Sequence, residues 1–190
     1  MTPSTLSLTD HAVLGLIVEE PRHGFAVARE LGADGSIGQI WTVHRPLVYR
    51  SIDHLARSDL IEWTRSEPGR RGPDRAVYRA TRRGRDRLAR WLERPVEHPR
   101  QVRAELLVKL WFLARRGRSP QDLARAQLER FEPMSHGLEH AAAAAEGSDR
   151  LVALWRLETL RATNSLLRRL IDDPQLAGTG GAHRRLPSSE

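Results

Sequence analysis

Apolar positions recur at helical spacing through most of the chain and switch to strict alternation in one short stretch. Val13, Leu16 and Ile17 share a helical face. Ser7-Leu8-Thr9-Asp10 ahead of them has the spacing of an N-terminal cap with an acid in the first turn, and Pro21 marks the end. A second helix starts near His23-Gly24, carries Phe25, Ala28 and Leu31 at i, i+3, i+6, and has Gly32 placed to close it in a left-handed conformation. Gly35-Ser36-Ile37-Gly38-Gln39-Ile40-Trp41 is too glycine-rich for a helix and is expected to add a short strand to a later hairpin. A third helix opens at Arg45-Pro46, since proline suits the first turn, where its missing N–H was unpaired anyway. Val48, Ile52 and Leu55 recur at i, i+4, i+7 on its inner face. Arg50 points roughly opposite, with Pro46, Asp53 and His54 flanking it and Tyr49 at the border.

The period then changes. Leu60-Ile61-Glu62-Trp63-Thr64 and Ala76-Val77-Tyr78-Arg79-Ala80 alternate apolar and polar and read as half-buried strands, joined by the turn-rich, arginine-loaded stretch Glu67 to Arg75. Thr81 caps a fourth helix, Arg82 to about Glu93, with Leu88, Trp91 and Leu92 inward. Trp41, Trp63 and Trp91 are all expected in the core.

Arg94-Pro95-Val96-Glu97-His98-Pro99 is a natural linker, because each proline disfavours helix in the residue before it. Beyond it, Val102, Leu106, Leu110 and Leu113 form a helical stripe ended by Gly117. Ser119-Pro120-Gln121-Asp122 starts another helix, in which Pro133 predicts a kink or break. Ser148-Asp149 opens a last one bearing Leu151, Leu154, Trp155, Leu166, Leu167, Leu170 and Ile171. A few amphipathic helices cannot bury such wide apolar bands against one another, so bundle logic predicts pairing with a second copy.

The expected architecture is mainly α with a small β-hairpin wing: an N-terminal winged helix-turn-helix and a C-terminal helical dimerisation domain. Residues 1–94 would form the DNA-binding domain and 95–99 a linker. Residues 100–173 would form the dimerisation and effector domain, and 174–190 a disordered tail.

Composition narrows the chemistry. The 190 residues carry a formal net charge of +7, and a sequence pI near 11.1 favours a polyanionic partner. Lys109 is the sole lysine, so nearly all the positive charge is arginine. The absence of cysteine excludes disulfides, thiolate nucleophiles and thiolate-bound zinc. No segment is apolar enough over sufficient length to span a bilayer, and the first residues lack the pattern of a secretory signal, so a soluble cytoplasmic protein is expected. His136 and His140 have metal-ligand spacing without supporting carboxylates and are expected to be solvated. No phosphate loop, nucleophile elbow or paired-acid motif occurs; neither enzyme, cofactor nor metal site is expected.

The chain resembles the PadR-like family of bacterial transcription regulators. The resemblance is carried by Val13-Leu14-Gly15-Leu16-Ile17, His23-Gly24-Phe25 with Leu31, Pro46-Leu47-Val48-Tyr49-Arg50-Ser51-Ile52, Asp59-Leu60-Ile61-Glu62, and Val77-Tyr78-Arg79-Ala80-Thr81-Arg82-Arg83-Gly84. It implies a winged-helix DNA-binding domain, a helical dimerisation domain and, usually, repression relieved by a small ligand. The family commonly has serine or a similar small residue where His23 and His44 stand, positions that bear on capping and phosphate contact.

The expected DNA contacts are His23, His44, Arg45, Pro46, Tyr49, Arg50, Asp53 and His54, with Arg70, Arg71 and Arg75 of the wing meeting phosphate or the minor groove. Leu106, Leu110, Leu113, Leu151, Leu154, Trp155, Leu166 and Leu170 are the candidate dimer contacts; Trp111 and Trp155 are the candidate effector contacts, although core packing is the better reading of both. The expected partners are double-stranded DNA, a second copy of the chain and a small-molecule effector. A homodimeric repressor at an inverted-repeat operator is the leading reading. An activator using the same surface, a winged-helix protein-interaction module, and a small-molecule-binding or enzymatic protein built on the helical half stand as alternatives.

Overall fold

Ser7 starts the first helix as expected: its hydroxyl accepts from the Asp10 amide at 3.1 Å while the Asp10 carboxylate accepts from the Ser7 amide at 2.9 Å. The structure, a computed structural model, describes residues 6–69, 72–173 and 175. In chain order the elements are α1 (Leu8–Glu19), β1 (Arg22–His23), α2 (Gly24–Leu31), α3 (Arg45–Arg57), β2 (Ile61–Gly69), β3 (Gly72–Ala80), α4 (Arg82–Glu93), α5 (Leu107–Arg115), α6 (Pro120–Ala144) and α7 (Gly147–Asp172). A short 3-10 turn at Pro99–Gln101 and a π-helical turn at Val102–Leu106 lead into α5. The chain divides into two compact units: residues up to Arg94 with Arg103–Val108, and Pro95–Val102 with residues from Lys109 onward.

In the first unit α1 is enclosed on all sides, with every residue from Asp10 to Ile17 buried. It packs against α3 and α4, and the core adds Val27, Leu31, Ile37, Val48, Ile52, Leu55, Val77, Leu88 and Leu92. The His11 ring stacks on Trp91 at 4.4 Å, and its Nδ1 donates to the Ser7 carbonyl at 2.9 Å. The antiparallel sheet has the order β1-β3-β2. Its third strand is Arg22–His23, not the glycine-rich stretch expected to supply it. Gly35 to Ile40 instead folds into turns, with the amides of Ile37 and Gly38 both bonded to the Glu30 carbonyl. A Cβ on Gly38 would overlap the Gly32 carbonyl oxygen, so these glycines serve close backbone approach. Gly32 itself closes α2 in an extended conformation, with φ −73° and ψ 169°, and not in the left-handed one expected.

β2 and β3 extend well into the segment read as a loop, as far as the pair Gly69 and Gly72. Ile61, the first residue of β2, is buried; from Glu62 to Pro68 the strand is exposed or half-buried, because the hairpin projects beyond the helical core. Trp63, expected in the core, is therefore 60% exposed. Thr81 joins hairpin to helix: its hydroxyl accepts from the Gly84 amide at 3.0 Å and lies 2.8 Å from the Asp59 carbonyl, to which it donates. Asp59 has φ +55°, a left-handed turn that aspartate tolerates better than most residues.

The second unit is built on the antiparallel pair α6 and α7, tied by Glu132 to Arg168, Ser135 to Asn164 and Glu139 to Arg161. Phe112, Leu123, Phe131, Leu157, Leu160 and Leu167 are buried. Val96, within the stretch read as a linker, is also buried, and the Gln127 side-chain amide accepts from its N–H at 2.6 Å and donates to its carbonyl at 3.0 Å. α6 runs through Pro133 without the break allowed for, since the position is exposed and one missing amide can be tolerated there. No helix among the described residues is long and apolar enough to cross a membrane. The expected tail, apart from Gln175, lies outside the described residues.

Candidate nucleic-acid interface

α3 owes its outward face to the way its inward face is fixed. Val48, Ser51, Ile52 and Leu55 are buried, which leaves Pro46, Arg50, Asp53 and Arg57 along the opposite side. Pro46 lies in the first turn, behind the cap residue His44, whose side chain makes no capping bond. Arg57 adds a cation one turn beyond Asp53, and its Nε donates to the Asp53 carbonyl at 3.2 Å. Exposed Leu47 stands on one flank of this face, and Arg45 and Tyr49 stand on the other.

The Tyr49 ring also explains a glycine. A Cβ on Gly24 would come within 2.8 Å of Tyr49 Cε1, so the ring rests directly on the start of α2. Arg45 lies over both Tyr49, at 5.6 Å, and Phe25, at 5.3 Å, and approaches the Tyr49 hydroxyl at 3.4 Å. Arg75, from β3, lies over the Phe25 ring at 4.8 Å. Two other wing arginines are paired with acids: Arg65 with Glu67 at 2.6 Å and Arg79 with Glu62 at 2.9 Å.

Two expected contact residues have partners within the fold. His23 caps α2, its Nδ1 accepting from the Ala26 amide at 3.0 Å. His54 leans toward α1 and donates through Nδ1 to Asp10 Oδ2 at 3.1 Å. Burial works against ionisation of Asp10, but hydrogen bonds from Ser51, Ser7 and His54 outweigh it and hold the carboxyl below its usual range. Arg45, Pro46, Tyr49, Arg50, Asp53 and Arg75 thus lie on the exposed helix face or at its border with the wing. Arg70 and Arg71 lie outside the described residues. Phe25, Leu47 and Arg57 escaped the sequence reading. Arg57 could have been found at i+7 from Arg50, whereas an apolar residue in a helix carries no signal that it faces water.

The surface so assembled is a cationic helix face bordered by a hairpin. Residues 13–90 match the transcriptional regulator PadR-like family. They belong to it. A probable transcriptional regulator of Mycobacterium tuberculosis, Rv1176c, is 33% identical over 98 residues, a match that takes in 51% of this chain and 50% of that protein. The chain therefore spans about half the length of the curated relative it matches. Among solved structures, Bacillus subtilis PadR in complex with operator DNA aligns with a TM-score of 0.46 and 21% identity, over 89% of this chain and 99% of that one. The same Bacillus subtilis protein in complex with p-coumaric acid aligns at 0.41 and 21%, over 87% and 96%.

The candidate dimer contacts divide in two. Leu106, in the π-helical turn, and Leu110 and Leu113, in α5, are buried within the chain itself. Leu151, Leu154, Trp155 and Leu166 are exposed, at 71%, 39%, 68% and 42%, and Leu170 is half-buried. Of the candidate effector contacts, Trp111 is half-buried, edge-on to Phe112 with Arg115 over its ring at 4.5 Å. Trp155 stands open to water. No cluster of metal-ligating side chains occurs among the described residues.

Proposed function

We propose that the protein is a homodimeric, sequence-specific DNA-binding transcription regulator, a repressor of an inverted-repeat operator that a small ligand releases. The observation that carries the DNA-binding part is the exposed stripe of α3, where Arg50 and Arg57 stand clear of the core with Arg45 beside them. A helix of this exposure fits the major groove, and arginine can hold guanine through two hydrogen bonds. The hairpin beside it supplies cations for phosphates, which fix orientation without reading sequence.

Dimerisation is supported by α7, whose Leu151, Val152 and Trp155 leave a continuous apolar patch in water. One recognition helix reads only a few bases, whereas two copies read half-sites about 34–36 Å apart. Ligand release follows the family resemblance. A ligand that changed the separation of the two helices by a few ångströms would break register, and a coupling of about 1–3 kcal/mol is enough for a useful switch.

Recovery of genomic fragments bound by the tagged, full-length protein tests the reading. Enrichment of a palindromic site upstream of a gene whose transcription rises on deletion is the expected result. Fragments without a common motif, or a fall in transcription on deletion, would contradict sequence-specific repression.

A further inference from the structure

Phe25 is misplaced for a core residue. It sits in the first turn of α2, 41% exposed, while its neighbours Gly24 and Val27 are buried. What occupies its ring is charge. The guanidinium carbon of Arg45 lies 5.3 Å from the ring centroid and that of Arg75 lies 4.8 Å from it. The first comes from the opening residue of α3 and the second from the wing strand β3. One phenyl ring therefore touches both of the elements that would meet DNA, and the two cations are no farther apart than those distances together allow.

Neither arginine is taken by an acid among the described residues. Glu67 faces Arg75 across the β-ladder, yet its carboxylate goes to Arg65 at 2.6 Å. Two like charges gathered without a carboxylate repel one another. The negative face of the ring offsets part of that repulsion, and an anion would offset the rest. An arginine side chain also loses considerable rotamer freedom when it binds, so holding it beforehand lowers the cost of binding.

We propose that Phe25 is a positioning residue for DNA binding, whose ring holds Arg45 and Arg75 as a pair aimed at neighbouring backbone phosphates. The ring itself touches no nucleotide; it acts through the two guanidiniums. Because phosphates are the target, the effect is independent of base sequence. The proposal rests on the DNA-binding reading above.

The test uses full-length protein and a fluorescent duplex of random sequence, titrated by anisotropy over a range of salt concentrations. Phe25→Leu keeps the bulk and removes the π face; Phe25→Trp keeps both. Phe25→Leu is expected to weaken binding roughly tenfold, because two arginines no longer held beforehand must lose their rotamer freedom on binding, with a shallower salt dependence. Phe25→Trp should bind like the parent. Arg75→Ala should weaken binding in the parent and have little further effect in Phe25→Leu, whereas a purely structural role would give the same fold-loss in both backgrounds. Parallel salt plots for Phe25→Leu and parent, or an equal cost of Arg75→Ala in both, overturns the proposal. A parent protein that binds no duplex at all would instead sink the DNA-binding reading; a parent that binds while Phe25→Leu matches it sinks only the role given to the ring.

Discussion

The carboxylate of Asp10, at the start of α1, accepts a hydrogen bond at 3.1 Å from Nδ1 of His54, near the end of α3. The same Asp10 oxygen takes the Ser7 hydroxyl at 2.8 Å, so one buried group both caps α1 and holds the candidate recognition helix against it. The cap and the docking of α3 therefore share one ionised side chain.

That arrangement makes stability depend on acid. The Asp10 carboxyl is held below its usual range, so its contribution is fully present above the ordinary aspartate value of about 3.9 and is lost as pH falls through the lowered folded-state value. Asp10→Asn should cost about 1–3 kcal/mol at neutral pH and flatten the acid side of the stability curve. Urea melts from neutral to acid pH will measure both; an acid limb as steep as the parent's would show that another group governs it.

Arg50 and Arg57 share the outward face of α3 with no role in the core. Replacing Arg50 by Ala should leave the melting temperature unchanged and cost about 1–3 kcal/mol of discrimination at one position of the recovered site. Competition between the site and its single-base variants gives the number. Equal weakening on every duplex would move Arg50 to a phosphate.

The opposite signature is expected of Arg70 and Arg71. Arg70→Ala with Arg71→Ala should weaken binding to all duplexes alike and lower the slope of log affinity against log salt by about 0.9 for each phosphate no longer neutralised. An effect confined to one base pair would contradict a phosphate role there.

On α7, Leu151→Asp with Trp155→Asp places charge on side chains that the chain itself leaves mostly in water, at 71% and 68% exposed. The doubly substituted protein should keep its helical circular dichroism and sediment as a monomer, with DNA affinity much reduced because the second half-site goes unread. A dimer that survives this change would have to use another face.

Local patterns in the sequence account for most of the helices and for the hairpin. Ser7 with Asp10, Thr81 with Gly84, and Pro46 in the first turn of α3 act within a few residues, so spacing alone reveals them. The three-residue and four-residue recurrence of Val48, Ile52 and Leu55 likewise predicts which side of α3 is buried, and by subtraction which side carries Arg50.

Long-range contacts required the tertiary structure. Which short segment would complete the sheet was decided by Arg22 and His23 meeting Tyr78 and Val77, while Gly38 was drawn against the Gly32 backbone. Phe25 has the helical spacing of a core residue, yet folding left its ring outside under two arginines that are distant in the chain. Periodicity records hydrophobicity along one helix; it does not record what the neighbouring elements leave uncovered, and that is settled only when α2, α3 and the wing come together.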